Sequence, residues 1–203
     1  MLREWSHPYV RIADIGAHHG RLARALVEDG HDVVATELSS GGFQELAEHL
    51  AGTRVAVRQG DGLEPLLDSP LDLVVISGMG SDTILEILAN RHRMTSRPHF
   101  ALQPVQGLFA LHRAIAVQGW RILKADLVKY RRRYYPLWLV DAYEERPQAL
   151  PEDALFLPQE FRSSAHYGDW LKDETARRQV QRPTERSQQE MAWLNSELRH
   201  LEP

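Results

Sequence analysis

The chain has 203 residues, a net charge of −4 and no cysteine, with 43% hydrophobic and 26% charged residues. That is the make-up of one ordinary globular domain with an appendage. Disulfides and thiolate metal sites are excluded, and nothing points to an oxidising compartment. The opening "MLREWSHP" lacks the apolar core of a signal peptide, and no apolar run is long enough to span a bilayer. A cytoplasmic protein with no membrane partner is expected. The charge is uneven: residues 1–142 are balanced, and residues 143–203 carry the whole deficit. Within the balanced part, "RHRMTSR" (Arg91–Arg97) and "KYRRRYY" (Lys129–Tyr135) gather positive charge of the kind that meets phosphates.

Val10–Ile15 predicts a first strand. Arg21–Glu28 predicts a helix, with Leu22, Ala25 and Leu26 on one face and Gly30 as its stop. Val33–Leu38 reads as a second strand, and Phe43–Leu50 places Phe43, Leu46, Ala47 and Leu50 at helical spacing. Val55–Val57 is a short third strand. "LDLVVI" (Leu71–Ile76) is apolar without alternation, as a strand covered on both faces would be. Ile84–Leu88 follows as a helix capped by Ser81 or Asp82. Phe100–Gln103 is a fifth strand, and Leu108–Gln118 a helix ended by Gly119. Arg121–Lys129 and Tyr134–Tyr143 have no helix between them and read as an antiparallel pair joined near Arg131–Arg133. Repeated strand–helix units closed by such a hairpin imply an α/β chain: a Rossmann-like, seven-stranded sheet of the class I methyltransferase type. The linker "ERPQALP" (Glu145–Pro151) then separates a domain over 1–144 from a C-terminal helical extension over 152–203. Its helices are expected at Gln159–Arg182 and Thr184–Leu201, broken at Pro183. Met191, Leu194, Leu198 and Leu201 form a narrow, coiled-coil-like seam suited to a helical hairpin. Such a hairpin packs on itself or on the core, grips RNA, or joins two copies.

The turn after the first strand, "DIGAHHG" (Asp14–Gly20), has only two glycines, as G-x-x-x-G. A dinucleotide site wants G-x-G-x-x-G, so that a pyrophosphate can approach the backbone. S-adenosylmethionine has no phosphate, and its carboxylate suits the helix N-terminus that begins near Gly20. Gly16 permits the turn and a ligand's close passage. Glu37, followed by Leu38, ends the second strand, where an acid takes the two ribose hydroxyls of an adenosine cofactor. Asp61 and Gly62 in "QGDGL" follow the third strand, and Asp61 is placed to accept from an adenine N6 amine. Each of these residues alone is ordinary turn chemistry. Their succession after strands one, two and three is what points to the cofactor. "ISGMGSD" (Ile76–Asp82) follows the fourth strand, and Gly78, Met79 and Gly80 give a backbone able to lie beside a planar base. Its bland alternative is a glycine turn before a capped helix.

"IADIGAHHG", "ISGMGSDTI" and "LQPVQGLFALHRAIAVQGW" together resemble the bacterial tRNA (adenine-N1)-methyltransferases that modify adenine 22. The family pattern is close to A-D-I-G-S-D-H, then A-G-M-G-G, then L-Q-P-N with a helix and G-W. "ALFLPQEF" (Ala154–Phe161) and the helical tail resemble that family's C-terminal extension. The resemblance implies S-adenosylmethionine as cofactor, tRNA as partner, and Asp14, Gly16, His19, Glu37, Asp61, Gly62 and Gly78–Gly80 around cofactor and target base. Three positions depart from the pattern: His18 stands where the family has Asp, Ser81 where it has the last Gly, and Val105 where it has Asn. The segment before the first strand is also shorter than the family's.

Adenine N1 carries a free lone pair, so attack on a sulfonium methyl needs no base. The enzyme positions the reactants and offsets the charge growing on the base, which a carboxylate does well in a water-poor site. An imidazole at His18 brings no negative charge; Asp82 is the acid available to take that part, and His18→Asp is expected to raise methylation. The departures also motivate two alternatives, a catalytically degenerate S-adenosylmethionine- or RNA-binding member and a methyltransferase with another substrate. No metal site is expected, because neighbours such as His18 and His19 seldom point the same way and no third ligand stands at a recognisable spacing. His7, His31, His49, His92, His99 and His112 are scattered singly. Arg131, Arg132 and Arg133, with Tyr134 or Tyr135 stacking on a base, are candidates to grip tRNA, as are the C-terminal helices.

Overall fold

The computed structural model describes residues 2–143, 159–179 and 184–201. The expected linker at Glu145–Pro151 and the helix break at Pro183 lie outside them. Seven strands form one sheet in the order β3-β2-β1-β4-β5-β7-β6. These are β1 (Arg11–Ile15), β2 (Asp32–Glu37), β3 (Ala56–Gln59), β4 (Leu73–Gly80), β5 (His99–Gln106), β6 (Arg121–Tyr130) and β7 (Arg133–Asp141). The first five run parallel; β7 enters antiparallel between β5 and β6. Helices α1 (Leu2–Ser6), α2 (Arg21–Glu28), α3 (Ser40–His49), α4 (Ser81–Ala89) and α5 (Leu108–Gln118) surround the sheet, and α6 (Tyr167–Gln179) and α7 (Glu185–Leu201) follow it.

Side chains alternate across a strand, so an unbroken apolar run feeds both faces of a sheet. Leu73 and Val75 of β4, with Ile12, Val33, Ala35, Ala101, Leu137 and Leu139, pack under α2 and α3. Val74 and Ile76, with Ala13, Phe100, Leu102, Trp138 and Val140, pack on the other face with α4 and α5. Phe161, Tyr167, Trp170, Leu171, Trp193 and Leu194 join this second cluster, which makes the C-terminal helices continuous with the core. The rings of Trp138 and Phe161 lie 5.3 Å apart and those of Phe109 and Trp193 5.8 Å apart.

Several local expectations change. The first C-terminal segment is a 3-10 turn over Gln159–Ser163 followed by α6, in place of one helix from Gln159. On α7 the buried face is Glu190, Trp193, Leu194 and Glu197, one step round from the apolar seam; Met191 and Leu198 are half-buried and Leu201 is exposed. Carboxylates can occupy that face because arginines pair with them. Arg162 and the Tyr167 hydroxyl both donate to Glu197, and Arg178 and Arg186 donate to Glu190. At α4 the capping position is Gly80, with no side-chain cap, and Ser81 and Asp82 are the first helical residues. Strand β4 runs on through Gly78 and Met79 to Gly80, with register shifts near Met79, in place of the alternative glycine turn.

Candidate active site

At the carboxyl ends of β1, β2 and β3, facing α4, lies a cleft of about 390 Å³. Small-molecule sites span about 300–1,000 Å³ and favour this edge of an open α/β sheet. Gly16, Glu37, Leu38, Asp61, Gly62 and Met79 line it, six of the positions that the sequence singled out. Gly16 has φ +64°, a left-handed backbone that strains any side chain, and a Cβ there would also displace the Met79 Cε, 2.4 Å away. Gly62, at φ +49°, backs onto Ile87 in the same way, at 3.1 Å.

Glu37 ends β2 with its carboxylate held from two sides. The His18 backbone N–H donates to Oε2 and the Leu38 N–H to Oε1, each at 3.2 Å. The first turn of α3 passes so close that a Cβ on Gly42 would lie 2.7 Å from the Glu37 Cγ. Gly42 is therefore part of the carboxylate's seat, though nothing in the local sequence marks it beyond the pair "GG".

The remaining candidates stand outside the cleft's lining. Asp14 is buried, and burial pushes its carboxyl up to about 7, partly offset by a hydrogen bond from the Ala23 backbone. It thus ties the end of β1 to the first turn of α2. Gly20, at φ +68°, is the capping residue of α2 and lies against Leu50, where a Cβ would be 2.8 Å from that side chain. Gly78, at φ +78°, donates its N–H to Gln103 Oε1 at 3.2 Å, and Gly80 abuts Gln106. Asp82 is exposed on the first turn of α4 and accepts from the Ser81 hydroxyl at 3.2 Å. Ser81 in turn packs onto Gly107, which leaves no room there for a Cβ.

His18 and His19 depart from expectation. His18 adopts a left-handed backbone, φ +52°, which turns both rings the same way; they stack at 3.8 Å and 22°. His19 Nδ1 meets Glu45 Oε1 at 3.0 Å, and its ring lies 5.3 Å from that of His49. So His49 is not single: its ring and the Glu45 carboxylate, both on α3, stand beside His19.

Thr83, Glu86 and Ile87 of α4, with Asn90 that caps its end, also line the cleft. The sequence reading did not assign them, yet they recur at helical spacing on one face, a signal that was present. A second groove of about 630 Å³ runs between Gln103–Leu108, Arg132–Pro136 and the α6 residues Asp173, Glu174, Arg177 and Arg178. Gln103 borders this groove while its side chain holds Gly78. The hairpin turn between β6 and β7 is only Arg131-Arg132, with Arg131 at φ +54°. Tyr134 and Tyr135 are half-buried; the exposed ring there is Tyr130, with Arg131 5.4 Å above it. No helix among the described residues is long and apolar enough to cross a membrane.

A provisionally named tRNA methyltransferase of Mycoplasma pneumoniae is 30% identical over 149 residues, covering 71% of this chain and 69% of its own. The tRNA (adenine(22)-N(1))-methyltransferase of Bacillus subtilis is 32% identical over 108 residues, half of this chain and 44% of that one. The structure of the Mycoplasma capricolum enzyme TrmK in complex with S-adenosylhomocysteine superposes with a TM-score of 0.75 at 20% identity, covering 95% and 92% of the two chains. That of a Streptococcus pneumoniae homologue in complex with S-adenosylmethionine gives 0.77 at 19% identity, covering 92% and 91%. The family model for TrmK, tRNA (adenine(22)-N(1))-methyltransferase, matches residues 12–202, and the chain belongs to that family.

Proposed function

We propose that the cleft at the ends of β1, β2 and β3 holds S-adenosylmethionine, and that the protein methylates N1 of an adenine in tRNA. The observation that carries this reading is the seat of Glu37. A carboxylate fixed by two backbone N–H groups at the end of β2 keeps lone pairs for a ribose diol. The cleft fits the rest of the cofactor. Asp61 is an acceptor for an adenine amine, Leu38, Met79 and Ile87 supply apolar walls, and Gly16 leaves a passage. Helix α2 begins on Gly20, which has no side chain to cap it, and Asp14 takes only the Ala23 N–H, so the rest of the first turn can serve a carboxylate. Bound there, the cofactor supplies an electrophilic methyl on a sulfonium.

The chain's own residues then bind and orient. Adenine N1 needs no deprotonation, so alignment of the two reactants carries most of the acceleration, at best about 7–11 kcal/mol. We assign Asp82, which accepts from Ser81 at the start of α4, to offset the positive charge that develops on the base. His18 lies outside the lining of the cleft, stacked on His19, and contributes through its backbone N–H to Glu37. The second groove, with Arg132 and Arg133 on its wall and Arg131 at the hairpin tip, is the path we assign to the tRNA backbone. Arg177 and Arg178 are less available for phosphates because Glu174 holds both. In this arrangement the domain over 1–144 carries the cofactor, and α6 of the extension over 152–203 forms one wall of the tRNA path.

Calorimetry with S-adenosylmethionine and nucleoside mass analysis of incubated tRNA test the reading. Binding, 1-methyladenosine in the product, and loss of binding in Glu37→Ala are expected. Asp82→Asn is expected to lower kcat with cofactor affinity kept. Unchanged cofactor affinity in Glu37→Ala would overturn the cofactor site, and binding without methylation would overturn the activity.

A further inference from the structure

The fold brings His19, Glu45 and His49 together, and none of these residues lies in the lining of the cofactor cleft. Glu45 and His49 are four residues apart on α3, so they share one face of it. His19 reaches that face from the turn between β1 and α2. Their ligand atoms, one imidazole nitrogen from each histidine and one carboxylate oxygen, all lie within 4.8 Å of one another. Among the described residues no other group of three histidine, aspartate or glutamate side chains meets that test.

We propose that these three side chains form a surface site for a divalent transition-metal ion, with zinc(II) the cation that suits the donor set. Two imidazoles and one carboxylate are a recurrent zinc set that leaves a fourth position to water. Bonds of about 2.0–2.1 Å to a tetrahedral ion put ligand atoms roughly 3.3 Å apart. His19 Nδ1 and Glu45 Oε1 already stand 3.0 Å apart. All three residues are exposed, so the small rotations of His49 that close the two remaining edges cost little packing.

The backbone beneath the site is held in place. Gly20 is seated against Leu50, the residue after His49, at a distance that excludes any side chain. Arg24 of α2 donates to the His49 carbonyl, tying the end of α3 to α2. The ring of His18 stacked on His19 restricts its rotation. A plain ion pair between His19 and Glu45 needs none of this and does not call for His49. A bound ion would clip the turn between Gly16 and Gly20 to the end of α3 at His49, adding to the polar link that His19 makes with Glu45.

The test is calorimetric titration of tag-free, chelator-treated full-length protein with zinc chloride, without cofactor, repeated with cobalt(II) chloride while following its visible absorption. One equivalent is expected to bind, with affinity at least tenfold weaker in both His49→Ala and Glu45→Gln and unchanged in His200→Ala, a control on α7. Binding is also expected to raise the melting temperature. Circular dichroism shows whether each variant is folded, and the glutamine variant keeps the test open if the alanine variant is not. No saturable binding, or the same affinity in the folded variants, would overturn the site. Several weak equivalents indifferent to these substitutions would do the same, since they report scattered surface histidines.

Discussion

The two faces of the sheet are built from different materials. Under α2 and α3 the core is aliphatic, with Ile12, Leu26, Val33, Leu46 and Val75 and, among the described residues, a single buried aromatic residue, Trp5. The opposite face is crowded with rings: Phe100, Phe109, Trp120, Trp138, Phe161, Tyr167, Trp170 and Trp193. The charges differ in the same sense. Ion pairs of the first half, such as Arg3 with Asp29, sit at the surface, whereas Glu174, Glu190 and Glu197 are buried among arginines. The lesson is one of division. The aliphatic face needs only to hold glycine turns in register around the cleft. The aromatic face must fasten a helical extension onto the sheet, and large rings and fixed charges do that over few residues.

Substitutions can break this contrast. Trp138→Ala removes a fully buried ring that touches Phe161, and is expected to cost about 3–5 kcal/mol, read by chemical denaturation. It should loosen the C-terminal helices together with the hairpin; if the helices stay protected from hydrogen exchange, the two are less tightly joined than the packing implies. Glu197→Ala orphans the Tyr167 hydroxyl and releases Arg162, and about 1–3 kcal/mol is expected, discounted because Arg162 is half exposed.

On the other face, Gly16→Ala forces a side chain into a left-handed turn against Met79. The strain of about 1–2 kcal/mol is expected to lower the melting temperature by roughly 2–8 °C and, because it falls on the cleft, to weaken cofactor binding as well. Asp14 sharpens the same comparison through pH. Its folded-state pKa, raised to about 7 from 3.8, means that the folded chain binds the extra proton. The stability it contributes is full below about pH 4 and is lost as pH rises towards 7. Asp14→Asn is expected to flatten the stability profile between those values, and a profile identical to that of the parent chain would contradict the burial argument. The smallest effect is expected for Asp29→Ala. It removes an exposed pair and should leave the melting temperature nearly where it was.

Much of the architecture was legible in one dimension. A strand followed by an amphipathic helix, repeated, admits few sheets, because crossover handedness and two-faced burial remove the others. The order of Gly16, Glu37, Asp61 and Gly62 behind successive strands was enough to place them at one edge. Less was legible at Gly78–Gly80, read as a backbone able to lie beside a planar base, where β4 continues as a bulged strand held by Gln103. The seam on α7 was read one step off, because Glu190 and Glu197 look like solvent-facing residues until their arginines are known.

What the sequence determined by itself, then, is the family, the element order and the set of turns that meet at the cleft. These follow from local periodicity and from the backbone freedom of glycine. Only the tertiary structure decided which side chains face one another across long separations. The paired carboxylates beneath α7, the seat that Gly42 leaves for Glu37, and the approach of His19 to Glu45 and His49 are of this kind. The reason is physical: periodicity reports which face of an element is buried, but partners on that face are set by how neighbouring elements dock, and the chain does not write docking locally.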